Sequence, residues 1–321
     1  MNHIANIVVK WFKQGVATSL MIFKIMIPIT IIVKIFQETG LIIHIGNLLS
    51  PFMQLIGLPG ETGLIWASAM IGNIFAGIIT YLSIAPQLTV AQITVLSIVI
   101  LIAHTLPVEL VITQKSGAKI ITVFLFRFIM GMVAGIILHH FYAFFSLLDH
   151  QSHTITSFIS TTEKEGWGWW LLNELKHYFI IFCYITLLIA LLDILKRIGL
   201  IDKFNKLLYP VLKVLGIGKE IIPITVVGMT LGLAYGGGLI IKEVQEHTLD
   251  RRQILYALLL MSLCHSIIED SLLVISLGAH YSGILIFRVI FTFVIIFLIV
   301  KITRHWSDKK MFRWFYSRSI R

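Results

Sequence analysis

LIAHTLPVEL, residues 101–110, lines up with SLCHSIIEDS, residues 262–271, at a separation of 161 residues. His104 falls on His265 and Glu109 on Asp270, and both segments sit within long apolar runs. At the same offset Gly117-Ala118 falls on Gly278-Ala279, and Phe126-Arg127 on Phe287-Arg288. Towards the N-terminus the offset drifts to 159, where Gly40-Leu41-Ile42, Pro51, Gly57 and Glu61 fall on Gly199-Leu200-Ile201, Pro210, Gly216 and Glu220. Apolar matches follow from composition alone, but a histidine, an acid and an arginine matching at one offset do not. The chain therefore reads as two copies of one unit.

Of its 321 residues, 57% are hydrophobic and 13% charged. Mean hydropathy is +0.91, and apolar runs of about 20 residues, the length of a bilayer-spanning helix, recur throughout. This is the composition of a polytopic membrane protein. In that setting a net charge of +10 reflects basic cytoplasmic loops rather than nucleic-acid binding. Cys183 and Cys264 both lie in apolar segments, so no disulfide framework or zinc cluster is expected. MNHIANIVVKWFKQG, residues 1–15, lacks the pattern of a removable signal. Its Ile4, Val8, Trp11 and Phe12, set against Lys10 and Lys13, predict a helix lying on the membrane surface.

Each unit has the same parts. A long apolar segment (16–38 and 177–195) precedes a short amphipathic stretch (40–57 and 199–216) and a glycine-interrupted piece (62–82 and 221–241). Two further apolar segments follow, 90–114 with 117–140 and 253–276 with 282–302. The expected organisation is repeat 1 over 16–145, an external linker over 146–170, repeat 2 over 171–302 and a basic cytoplasmic tail over 303–321. Trp167, Trp169 and Trp170 in the linker suit a membrane interface.

Charge decides the topology. If the glycine-interrupted pieces cross the bilayer, Lys115, Lys119, Lys196, Arg197, Lys203, Lys206, Lys213 and Lys219 fall outside. If those pieces are re-entrant hairpins, all eight become cytoplasmic, joining Lys10, Lys13, Lys242, Arg251, Arg252 and the tail. The loops at 82–91 and 277–283, which have no Lys or Arg, then lie outside. The positive-inside rule selects the second arrangement. The expected fold is all-α, with two inverted repeats, each of three transmembrane helices plus a re-entrant hairpin. Legs of ~10 residues reach ~15 Å, half the hydrocarbon thickness. Inverted repeats with broken helices meeting at the midplane are the architecture of secondary transporters.

The glycine-rich tips MIGNIFAG (70–77) and GLAYGGG (232–238), the broken-helix segment HTLPVE (104–109) and this order of parts resemble the nucleoside-recognition, or Gate, family of membrane proteins. That family includes the core of concentrative nucleoside transporters, the membrane domain of ferrous-iron transporters and the spore-maturation membrane proteins. The resemblance spans residues 16–302 and implies a solute site between the hairpin tips and two broken helices. It also implies a bacterial inner-membrane location, and the charge pattern puts both termini in the cytoplasm. GETG at 60–63 lacks the lysine of a phosphate-binding loop, so no GTPase part accompanies it.

Glu109 and Arg127 fall at similar depths on neighbouring helices, as do Asp270 and Arg288, and pairing follows. Two such ion pairs read first as packing devices, with a gate as the alternative. His104 and His265 lie deeper, near the midplane, where inversion brings them towards each other. A lone membrane histidine is commonly a packing residue, whereas a symmetry-related pair points to function. Ser262, His265, Ser266 and Glu269 follow i, i+3, i+4, i+7 and predict a polar stripe on a continuous helix. Pro107 breaks its helix, freeing carbonyls near Ala103 and His104 for a cation, water or solute hydroxyl, or merely kinks it. Asn73, at the hairpin tip, presents the positive end of a half-helix. Lys24, whose repeat partner is Cys183, either sits at mid-depth or snorkels. His139, His140 and His153 fit either a metal or an interfacial loop.

The leading expectation is a secondary transporter of a small polar or anionic solute, nucleoside-like or an organic anion, with His104, His265 or Glu269 carrying a coupling proton. A divalent-cation permease and a non-transporting envelope partner are the alternatives. Enzymatic motifs are missing, since there is no His-Glu-x-x-His, no Gly-x-Ser-x-Gly and no paired aspartates on one helix, so no catalytic activity is expected. No resident cofactor or metal is expected. The partners are a small-molecule or ion substrate and the lipid bilayer, with no nucleic acid, and a homodimer is compatible.

Overall fold

A computed structural model describes residues 2–152, 166–218, 220–232, 240 and 250–316. Every regular element among them is helical. The first half comprises α1 (Asn2–Glu38), α2 (Leu41–Leu55), α3 (Thr62–Ile71), α4 (Ile74–Ile84), α5 (Val90–Ile102), α6 (Leu106–Lys115) and α7 (Ile120–Phe144). The second comprises α8 (Trp167–Arg197), α9 (Leu200–Val214), α10 (Ile222–Leu231), α11 (Arg251–Leu263), α12 (Glu269–Ser276), a π-helical turn (Ser282–Phe287) leading into α13 (Arg288–Thr303), and α14 (Asp308–Phe315). The residues expected at 1–15 as a surface helix continue without a break into α1. The second hairpin tip beyond Gly232, His153, most of the linker, Lys219, Lys242 and residues 317–321 lie outside the described residues.

Among the described residues, four helical stretches are long and apolar enough to cross a bilayer: Val90–Lys115, Ile120–Phe144, Trp167–Leu191 and Ser282–Thr303. Their burial explains their sequences. Of the thirteen residues of α5 eleven are buried, and it is apolar all round because protein surrounds it. On α7, Val123, Arg127, Ala134 and Leu138 face inward, whereas Ile121, Leu125, Ile129, Ile137 and Phe141 are exposed, a face suited to lipid. Glycine permits the tight α5–α7 seam. A Cβ on Gly135 would stand 2.9 Å from methyl groups of Ile56 and Val99.

The two halves repeat in backbone as well as in sequence. Gly40 and Gly199, 159 residues apart, turn at φ 70 and 71. Thr89 and Asp250, 161 apart, cap α5 and α11, Thr89 through a full capping box with Gln92. Ala103 and Cys264 end those helices at φ/ψ of −135/68 and −142/72. Thr105 and Ser266 follow in the left-handed region, at φ 52 and 46.

Loops gather at two ends. At one, the backbone N–H of Lys119 donates to Phe315 O at 2.8 Å and the Thr122 hydroxyl to Trp314 O at 2.6 Å. There Arg252 also reaches Trp306 O (2.7 Å) and the Asp308 carboxylate (2.6 Å), while the Lys119 ammonium reaches Arg313 O. At the other, Val90 and Ala91 donate to His150 O and Leu148 O, both at 3.0 Å, and His280 donates to Thr94 Oγ1 at 2.8 Å. Between α3 and α4 only Gly72 and Asn73 intervene. Ten and eleven residues at ~1.5 Å each give legs of ~15 Å.

Candidate functional site

Both central helices stop near the middle of the molecule, and arginines account for where they stop. The Arg127 guanidinium donates to Ile102 O through Nε (2.8 Å) and to His104 O through Nη2 (3.1 Å). Arg288 repeats this on Leu263 O (3.0 Å) and His265 O (3.1 Å), and also reaches Leu101 O in the other half at 3.0 Å. Each cation thus caps the C-terminal end of a helix, where carbonyls lack donors and the dipole is negative.

This corrects three expectations. The carbonyl of His104 is taken by Arg127 and is not left for a solute. Pro107 sits in the first turn of α6, where its missing N–H costs nothing, so it starts a helix instead of kinking one. The stripe Ser262, His265, Ser266, Glu269 does not exist as one helical face, because the chain leaves the helix at Cys264 and resumes at Glu269. Ser262 is buried with no partner for its hydroxyl, Ser266 holds the left-handed turn, and Glu269 stays half-buried.

The breaks put the two histidines together. Nε2 of His104 and Nε2 of His265 stand 3.3 Å apart, and both residues are buried. Each ring is oriented by its other nitrogen. His104 Nδ1 lies 2.9 Å from Ile100 O, and His265 Nδ1 2.8 Å from Met261 O. A carbonyl only accepts, so each Nδ1 carries a hydrogen and each Nε2 is turned towards the other ring.

The acids cross over between the halves. Glu109 Oε1 lies 3.2 Å from His265 Nε2, and Asp270 Oδ2 lies 3.6 Å from His104 Nε2. Glu109 also pairs with Arg127, as expected. Asp270 does not pair with Arg288. Asp270 Oδ2 and Arg288 Nη1 are buried with no hydrogen-bond partner, so the expected second ion pair is not formed in this conformation. Arg288 spends its bonds on three carbonyls instead, and Asp270 points at a histidine.

The remaining candidates lie apart. The Asn73 side chain accepts from Ala76 N at 3.0 Å and caps α4, so its hydrogen bond stays within the hairpin. The hairpin meets the centre through its backbone: Thr105 N donates to Ala69 O and Ile267 N to Met229 O, both at 2.9 Å. Lys24 is exposed on α1. The rings of His139 and His140 lie 5.1 Å apart, tilted by 47°, but, among the described residues, gather no third ligand of their own. Sequence reasoning missed the break in the second helix, which has no proline. The signal available was the arginine 23 residues after each histidine.

Buried charges, broken central helices and an apolar exterior define a polytopic helical membrane protein with a polar centre in its core. Residues 178–280 match the family described as Gate, nucleoside recognition. That stretch contains His265 and Asp270 with the second break. The chain is also similar to the uncharacterized membrane protein YvoD of Bacillus subtilis (strain 168), 25% identical over 283 residues, covering 86% of this chain and 88% of that protein. No solved structure matches it.

Proposed function

We propose that the protein is a multi-pass secondary transporter of two inverted repeats, in which His104, His265, Glu109 and Asp270 form the cation site coupled to movement of a small polar solute. The observation carrying this is the crossed pairing, His104 with Asp270 and His265 with Glu109, each contact joining one half to the other. Any relative movement of the halves changes both contacts at once, which is what alternating access about a central site requires.

Inversion is supported by where equivalent helices begin. α5 starts beside Leu148 and His150, whereas α11 starts at the opposite end, beside Trp306 and Asp308. The short α3–α4 hairpin, docked by its tip region onto the break at Thr105, supports a re-entrant reading. Basic residues Lys119, Arg252 and Arg313 meet at one end, supporting cytoplasmic placement of that end and of the C-terminus. The centre gathers acceptors, so it suits a cation better than an anion, and this favours the divalent-cation permease as the second reading.

The test is a thermal-shift screen of the purified chain against nucleosides, amino acids, organic anions and divalent metals, followed by uptake of each hit into proteoliposomes. His265→Gln and Glu109→Gln should fold and bind the solute yet lose gradient-driven accumulation. Unchanged accumulation in both variants would remove the centre from coupling, and no uptake of any hit would end the transporter reading.

A further inference from the structure

The two halves bring two imidazoles and two carboxylates to one buried place. With both Nδ1 atoms committed as donors to Ile100 O and Met261 O, the Nε2 atoms of His104 and His265 face each other 3.3 Å apart. Their other neighbours are Glu109 Oε1 and Asp270 Oδ2. Each of these groups binds a cation through the lone pair that a proton would otherwise occupy. Burying them together is costly, and a bound cation offsets that cost.

The spacing identifies the cation. Two donors bound tetrahedrally to a metal at ~2.0–2.1 Å stand about 3.3–3.4 Å apart. The two imidazole nitrogens are 3.3 Å apart, His265 Nε2 and Glu109 Oε1 3.2 Å, and His104 Nε2 and Asp270 Oδ2 3.6 Å. Ligand atoms of His104, His265 and Asp270 all fall within 4.8 Å of one another, and all three residues are buried.

The surrounding shell fits too. Each imidazole donates its other N–H to a backbone carbonyl, and Glu109 is held from behind by Arg127, as ligands around a metal usually are. Asp270 Oδ2 is buried and aims at the cluster without a hydrogen-bond partner. Arg127 and Arg288 would repel a cation, but Arg127 is paired with Glu109 and both donate to helix-end carbonyls, whose negative partial charge they offset.

We propose that His104, His265 and Asp270 bind one divalent transition-metal ion of the zinc, iron or cobalt kind, with Glu109 beside it in contact with His265. Calcium and magnesium are excluded by two imidazoles and a small ligand count. This names the cation at the centre assigned above and so rests on that reading for its transport role, though not for binding itself.

The test uses the full chain in detergent, stripped of metal and then offered Zn2+ or Co2+ alone. One Zn2+ should remain per chain after desalting, and Co2+ should give the intense visible bands of a tetrahedral site. Asp270→Asn, close to isosteric, should weaken Zn2+ binding about 100-fold or more, whereas His139→Ala with His140→Ala should leave it unchanged. X-ray absorption on the wild-type Zn2+ form needs no variant and should show two imidazole nitrogens with oxygen completing the shell.

Three results overturn the proposal: wild-type retention no higher than that of Asp270→Asn, absorption spectra without imidazole, or loss of metal only when His139 and His140 are removed. Uptake does not enter this readout. Failure here with gradient-driven uptake intact leaves protons as the occupants, while metal retained without uptake leaves a static site.

Discussion

Arg127 and Arg288 occupy equivalent positions and cap equivalent helix ends, yet only Arg127 has a carboxylate partner. Replacing either with Met strips donors from buried carbonyls: Ile102 and His104 in one case, Leu101, Leu263 and His265 in the other. At ~1–3 kcal/mol for each buried group left unsatisfied, both single variants should be destabilised by several kcal/mol and should not be told apart. A double-mutant cycle separates them. For Arg127→Met with Glu109→Gln, contact between opposite charges at an effective dielectric near 20 is worth about 4 kcal/mol before reorganisation. A measured coupling of about 2–3 kcal/mol is expected. For Arg288→Met with Asp270→Asn, where no contact exists, the coupling should be less than half of that. Reversible unfolding in mixed SDS micelles supplies the free energies. Equal couplings in the two cycles would refute the asymmetry and restore a symmetric pair of ion pairs.

Two further outcomes follow from the geometry. With Cys183 and Cys264 replaced, a single cysteine at Lys213 should resist a membrane-impermeant thiol reagent added outside cells, whereas one at Tyr281, 55% exposed, should react. External labelling at Lys213 would contradict inversion. Gly135→Leu should lower stability by about 1–3 kcal/mol through overpacking against Ile56 and Val99. Gly168→Leu, with nothing within 4 Å of a built Cβ, should leave it nearly unchanged, and equal melting temperatures for the two would count against the tight α5–α7 seam.

Much of the centre was legible because polar residues in apolar helices are few and their spacing survives duplication. The 161-residue offset alone joins His104 to His265 and Arg127 to Arg288. What it did not give was partner choice. Depth along a helix places Asp270 and Arg288 at one level, but rotation about the helix axis decides whether they touch, and that is set by packing. The break at Cys264–Ser266 was hidden for a related reason. A proline writes a helix end into local sequence, whereas an arginine on a distant helix writes it into tertiary contact, leaving the segment itself with a helical pattern. Asn73 failed differently. Its residue type fitted a binding tip, but it fits a helix cap equally well.

The two arginine braces also differ in when they can close as the chain emerges from the ribosome. Every bond of Arg127, to Ile102, His104 and Glu109, lies within a stretch of 26 consecutive residues, from 102 to 127. That brace is complete while the second half is still unmade. Arg288 must reach back 187 residues to Leu101, and His265 must find His104 across 161. Synthesis therefore delivers a finished half against which the later half is templated. The early half already holds Glu109 in its bond with Arg127, whereas Asp270 is made before Arg288, whose bonds go to carbonyls instead.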